Sequence, residues 1–311
     1  MTKILILFSL AAVPLVCGFA GDLGRKVVVT GAAGRTGKLV FSLLTESPEF
    51  DAVGLVRTEK SAKRVMKEVK CGLDHVIVSD VTQLSSNAEN GIPRGLNGAE
   101  AMIICTSAVP YISKLSVIKA MMNIPVNVLS GKKALNPRDF RFRFRPDQYP
   151  EKVDYLGQVT QIDLAKKLGI RHVVVVSSMG GTNSENFLNS IGKDKNGDGN
   201  GDILLWKRKA ERYLTESGLQ YTIIHPGGLV DTPPGEKEFV LDIDDKLLEH
   251  ENRSISRADV ARLCVASLSV GKGRCASFDV ISRDGEDSRL KPAEDVLDDF
   301  LQTGKTADYS L

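Results

Sequence analysis

Cysteine is scarce in this 311-residue chain, and the five present (Cys17, Cys71, Cys105, Cys264 and Cys275) are widely spaced with no Cys-x-x-Cys pair. That distribution excludes a disulfide-stapled scaffold and a cysteine zinc site, so the thiols read as reduced and mostly buried. Net charge is scarce as well, since 41 Lys and Arg stand against 39 Asp and Glu. Without a global field of either sign, nucleic acid and acidic membranes are poor partners and a small molecule is the better one. Internal repeats and a second glycine-rich switch are missing too, which favours one extended domain over two.

Apolar runs of comfortable membrane-spanning length are also lacking. The nearest is ILILFSLAAVPLV at 4–16, preceded by Lys3 and followed by small residues around Cys17-Gly18. This is a signal-type leader over residues 1–18, too short for a comfortable span. Cleavage after Gly18 would put Phe19 first, and Cys-Gly-Phe-Ala resembles the alanine-phenylalanine junction of plastid-targeting leaders in algae with complex plastids. Delivery to a plastid and the general secretory route both stay open, and the sequon Asn252-Arg253-Ser254 matters only in the second. No membrane contact is expected after leader removal.

From Lys26 onward, short β-branched runs alternate with helical stretches, the pattern of a parallel sheet covered on both faces. The strands are KVVVT (26–30), DAVGLVR (51–57), HVIVSD (75–80), AMIICTS (101–107), HVVVVSS (172–178) and YTIIHP (221–226), with a last one near 277–281. Helices are expected over 36–45, 59–70, 153–168, 203–216 and 257–269. The fold class is therefore α/β, a doubly wound parallel sheet of the Rossmann type, spanning 25–285. Substrate-side insertions cover 111–149 and 183–202, and the charged tail 286–311 has no clear role.

The strongest local signal is TGAAGRTG at 30–37, where Gly31, Gly34 and Gly37 recur at every third position between a strand and a helix. After Thr30 the first glycine permits a tight turn, the second lets backbone approach a pyrophosphate, and the third seats helix on strand. The phosphates then meet free amides at the helix start, around Arg35 and Thr36. An acid at the end of the second strand would hold a bare ribose 2′-hydroxyl, but Arg57 stands there. With Arg35 it offers a cationic fork for a 2′-phosphate, so NADP is favoured over NAD; two solvated surface arginines are the alternative. Asp80 suits either an adenine amino group or a turn cap. Thr106 and Ser107 lie where a cofactor ribose would pass.

These residues resemble the atypical short-chain dehydrogenase/reductases, in particular the NmrA-like NAD(P)-binding proteins of plants and algae. The resemblance runs from about 26 to 281 through VVVTGAAGRTGKLV, GLVR, ICTSAVP, DQYPEKVDYLGQ, VVVVSSMGGTN, LLWKRKAERYL, YTIIHPGGL and SRADVA. It implies a Rossmann fold, NADP at the glycine loop and Arg57, and a reductase-like or sensing role. Ordinary members use a serine and a Tyr-x-x-x-Lys pair, in which the tyrosine transfers the proton and the lysine holds the ribose. Aligning KAE (209–211) with that motif leaves Ser178 and Lys209 in matching places and puts Leu205 where the tyrosine belongs. Leucine transfers no proton. Pro226, Gly227 and Gly228 would lie against the nicotinamide, where missing side chains let the ring approach, or form a plain structural turn. Tyr149 and Tyr155 are candidate proton donors only because they fall in the expected lid, and a structural role for each is the preferred alternative.

Two segments stand outside this scheme. Asp194, Asn196, Asp198, Asn200 and Asp202 match early positions of a calcium loop, but Leu205 occupies the place of the bidentate glutamate. A polar loop at the site rim, capping the following helix through Asp202, is the preferred reading, and no metal is expected. FRFRFRP (140–146) alternates aromatics with Arg141, Arg143 and Arg145 as an edge strand or lid, and its arginines could meet an anionic ligand. The expectation is an NADP-binding oxidoreductase acting on a small carbonyl or quinone-type molecule, as monomer or homodimer. A non-catalytic NADP-responsive regulator or scaffold competes with it, and a sugar-nucleotide epimerase or dehydratase ranks below both.

Overall fold

The computed structural model describes residues 24–82, 92–122, 124, 130, 140–285 and 290–310. The leader over 1–18 and the central part of the 111–149 insertion lie outside the described residues.

Strand β1 (Arg25–Thr30) is buried from Val27 onward, and α1 (Arg35–Glu46) follows the glycine turn. Strand β2 (Phe50–Val56), α2 (Glu59–Val69) and β3 (Val76–Val78) complete the first half. The third strand starts later than its sequence suggested. Leu73–His75 forms a 3-10 turn, with His75 Nδ1 lying 3.0 Å from the Ala52 carbonyl oxygen. Strand β4 (Ala101–Ile104) opens the second half. A separate ribbon then pairs β5 (Tyr111–Ile112) antiparallel with β6 (Phe142–Arg143), on either side of α3 (Lys114–Met122). The alternating FRFRFRP segment thus contributes to a two-stranded ribbon and not to the edge of the main sheet.

Helix α4 (Gly157–Lys167) continues from a π-helical turn, Glu151–Leu156, and leads into β7 (His172–Val176). The short α5 (Phe187–Ser190) and the long α6 (Ile203–Thr215) flank the polar loop. Strands β8 (Gln220–Pro226), β9 (Gly228–Val230), β10 (Glu238–Asp242) and β11 (Ser254–Ser256) precede α7 (Arg257–Val270). Strand β12 (Ala276–Arg283) and α8 (Ala293–Gln302) end the order.

Eight strands form one sheet in the order β3-β2-β1-β4-β7-β8-β12-β10. Every neighbouring pair is parallel except β10 with β12. This is the doubly wound arrangement that the alternating strands and helices imply, with an antiparallel edge added. Because side chains alternate along a strand, Val27 and Val29 join the core under α1, α7 and α8, while Val28 joins Met102, Ile162 and Leu214 under α4 and α6. The tail is part of this fold. Phe300 of α8 packs on Phe278 of β12 with ring centroids 5.2 Å apart, and the Ala307 amide donates to the Ser277 carbonyl at 2.9 Å.

Candidate active site

Consecutive strands depart in opposite directions from β1 and β4, so the loops above their C-terminal ends separate and leave a crevice. A cleft of about 450 Å³ occupies that place. Gly31 turns the chain at φ +67°, and a Cβ there would lie 2.9 Å from the Cys105 carbonyl group, so only glycine fits the turn. Gly34 is the N-cap residue of α1 and no side chain caps that end. The first amides of α1 are left for an anion, which is the cradle a pyrophosphate needs. Arg64 of α2 braces the loop by donating to the Ala33 carbonyl at 2.9 Å.

Most of the expected site residues meet here. Gly31, Gly34, Arg35, Thr36, Arg57 and Asp80 line one end, and Thr106, Ser107, Ser178, Pro226 and Gly227 line the rest. Thr30 is fully buried beneath the turn, with its hydroxyl unpartnered among the described residues. Gly37 seats α1 on the Gly31 carbonyl and does not line the cleft. Gly228 lies outside it, committed to β9, with its amide donating to the Arg253 carbonyl at 2.7 Å.

The two arginines are not equivalent. Arg35 is ion-paired with Asp231, which also holds Arg257 at 2.7 Å, and the hydrogen bond from Arg35 helps lower the Asp231 carboxyl below its usual range. Arg57, which also lines the cleft, makes no ion pair among the described residues. Asp80 Oδ1 accepts the Thr82 amide at 3.0 Å and its hydroxyl at 2.8 Å, holding the turn after β3.

Lys209 does not reach the cleft. Its ammonium group sits 4.4 Å from the Trp206 ring centroid and 5.8 Å from that of Tyr155, on the outer side of α6. The lysine in the cleft is Lys207, 6% exposed, paired at 2.8 Å with the fully buried Asp154. The reason is helical phase. Leu204, Lys207, Ala210, Glu211 and Leu214 share the buried stripe of α6, and a residue two positions from Lys207 points almost to the opposite side. With Lys207 and not Lys209 in the cleft, a count of four residues back from the lysine reaches Ile203 in place of Leu205. Isoleucine transfers no proton either. Tyr149 and Tyr155 are both absent from the lining, and Tyr155 stacks on Trp206 at 5.7 Å.

Asp154, which sequence reasoning passed over, is turned inward by the π-helical turn. Its second oxygen accepts the Ala108 amide at 2.9 Å. Gln161, fully buried on α4, donates to Thr106 Oγ1 at 3.1 Å and fixes that side of the cleft. Ser177, also missed, lines the cleft beside Ser178; its hydroxyl donates to Glu211, whereas that of Ser178 donates to the Met179 carbonyl at 3.1 Å. The one sequence signal for this cluster lies in α6, where the charged Lys207 and Glu211 stand in the apolar phase of the helix.

The 194–202 loop closes on itself. Asp194 Oδ1 accepts the amides of Asn196 and Asp198 at 2.8 and 3.0 Å, and Asp202 pairs with Lys193 at 2.6 Å. Among the described residues no group of three His, Cys, Asp or Glu side chains is placed to hold a metal ion. Asp202 adopts a left-handed conformation and caps nothing with its side chain; Asn189 of α5 does so instead, its Oδ1 accepting the Leu204 amide at 2.9 Å. No helix of the described residues is long and apolar enough to cross a membrane.

Residues 31–270 match the family model described as NAD(P)H-binding. An uncharacterized chloroplastic protein of Arabidopsis thaliana is 41% identical over 258 residues, which cover 83% of this chain and 69% of that one. Sanguinarine reductase of Eschscholzia californica is 38% identical over 272 residues, 84% of this chain and 91% of that one. A solved oxidoreductase structure from Lactococcus lactis superposes with TM-score 0.56 at 17% identity, covering 89% of this chain and 97% of the other, a likeness of fold.

Proposed function

The chain belongs to the NAD(P)H-binding family, and from that premise we propose that it is an NADPH-dependent reductase of a small carbonyl or quinone-type substrate. The observation that carries this reading is one cleft that joins an uncapped helix start, and an Arg57 without an ion pair among the described residues, to two serines and a buried lysine. The α1 amides and Gly31 turn hold the pyrophosphate, and Arg57 holds the 2′-phosphate, which favours NADP over NAD. Arg35 can join only by leaving Asp231. Asp80 serves the adenine end. Lys207, oriented by Asp154, takes the ribose role first assigned to Lys209. When bound, the reduced nicotinamide supplies a hydride.

Among the described residues no tyrosine lines the cleft, so none there offers a phenolic acid to the oxygen of a ketone. Acceptors whose hydride adduct is already a stabilised anion, as with quinones, suit such a site better than simple aliphatic ketones. The likeness to sanguinarine reductase of Eschscholzia californica supports reductase chemistry, and the chloroplastic relative supports the plastid reading of the leader.

Titration with NADPH and NADH tests the cofactor half. Arg57→Gln should weaken NADPH about 10–100-fold, the worth of a charge-assisted pair, and leave NADH nearly unchanged. A screen of quinones and aliphatic ketones under NADPH tests the chemistry. Tight nucleotide binding with no turnover of either class would favour the second reading, an NADP-responsive regulator, for which Ile203 is the supporting observation.

A further inference from the structure

Behind the nicotinamide half of the cleft lies a buried chain of charged groups that the reductase reading leaves unused. Ser177 directly follows β7, is 7% exposed, and still lines the cleft. Its hydroxyl donates to Glu211 Oε1. The other oxygen, Oε2, lies 3.1 Å from His225 Nε2 and 3.1 Å from the Tyr309 hydroxyl, which donates to it. His225 sets its Nδ1 3.2 Å from Asp279 Oδ1, and Asp279 Oδ2 accepts the Asp245 amide at 2.7 Å.

A neutral imidazole carries one N–H, yet both ring nitrogens of His225 face carboxylate oxygens, an arrangement that suits the imidazolium. Burial would push His225 down, but Glu211 and Asp279 outweigh it and move it up to about 10. Burial would likewise raise Glu211, which His225, Ser177 and Arg208 bring down to about 2. A carboxylate so held only accepts, and the one hydrogen of Ser177 is directed away from the cleft. Neighbouring backbone groups are engaged as well: the amides of Gly227 and Gly228 donate to the Val280 and Arg253 carbonyls, and the Pro226 carbonyl already accepts the Met179 amide at 3.2 Å.

Resting on the NADPH reading above, we propose that Ser177 is a positioning residue which presents an acceptor oxygen to the cleft and orients the carboxamide N–H of the bound nicotinamide. The Glu211–His225 pair fixes that polarity from behind. Ser177 then gives no proton to the substrate; its role is to set which face and rotation of the ring the cleft accepts.

The test compares binding of NADP with its 3-acetylpyridine analogue, in which a methyl group replaces the carboxamide nitrogen, by calorimetry on the full chain without its leader. Wild type should prefer NADP by about tenfold, one hydrogen bond lost with its acceptor left unpaired. Ser177→Ala should bind both nucleotides alike, and Ser177→Thr, which keeps the hydroxyl, should restore the preference. Equal affinities in the wild type overturn the assignment without any variant needing to fold, and so does a preference that persists in Ser177→Ala. Failure to bind either nucleotide would overturn the cofactor reading itself and this assignment with it, a distinct outcome from binding both equally.

Discussion

At the scale of single residues, two lysines a pair of positions apart on α6 have opposite fates. Lys207 is buried against Asp154, whereas Lys209 lies over aromatic rings at the surface. Removing one partner of a buried pair strands the other charge, so Lys207→Met should cost about 3–5 kcal/mol in urea unfolding. Lys209→Met should change stability by no more than about 0.5 kcal/mol, as surface substitutions generally do. Equal costs would mean that the buried pair is not formed. The distinction was available in the sequence. Leu204, Ala210 and Leu214 define the inward face, and Lys207 and Glu211 fall in register with them; aligning by the KAE tripeptide hid that phase. The partner Asp154 was not legible, because it is brought in by a π-helical turn that no local pattern announced.

At the scale of elements, α6 depends on a neighbour for its start. Its preceding residue, Asp202, has the composition of a cap but a backbone at φ +59°, and its carboxylate is taken by Lys193. Asn189 reaches across from α5 to accept the Leu204 amide. Asn189→Ala should therefore destabilise the protein by about 1 kcal/mol, the usual worth of an N-cap. Asp202→Asn, which tolerates the left-handed conformation, should change it by less than about 0.5 kcal/mol, since only a partly exposed ion pair is lost. Denaturant midpoints of the two variants check this, and the reverse ranking would restore Asp202 as the cap. Strand β10 escaped the sequence reading for a related reason. EFVLD is short and only half-buried, and pairing with β12 is what makes it a strand.

For the whole molecule, the C-terminal tail ties distant elements together. Tyr309 enters the charged chain of Glu211 and Ser277, and the Arg208 guanidinium lies 4.1 Å above the Tyr309 ring centroid. The two buried histidines of the sheet give stability opposite pH limbs. Burial, with the charge of Arg25, lowers His172 from 6.5 to about 4, so the unfolded chain takes up that proton first and stability falls as pH drops through this range. His225 is raised from 6.5 to about 10, so its contribution is complete below 6.5 and is lost as pH rises toward 10. The urea midpoint should consequently peak near neutrality. His172→Gln should flatten the acid limb and leave the alkaline one; an acid limb unchanged by that substitution counts against the assignment.

Taken alone, the sequence determined the repeating strand-helix order, the glycine turn at Gly31 and the cationic end of the second strand. Each of these is carried by neighbours within a few residues, through backbone conformation or one period of a helix or strand. Only the tertiary structure decided that Asp154 is the partner of Lys207, which arginine is already occupied by Asp231, and that residues from 177, 211, 225, 279 and 309 share one buried network. Those facts depend on contacts between segments far apart in the chain, where burial sets the charge state and partner geometry sets which atom donates.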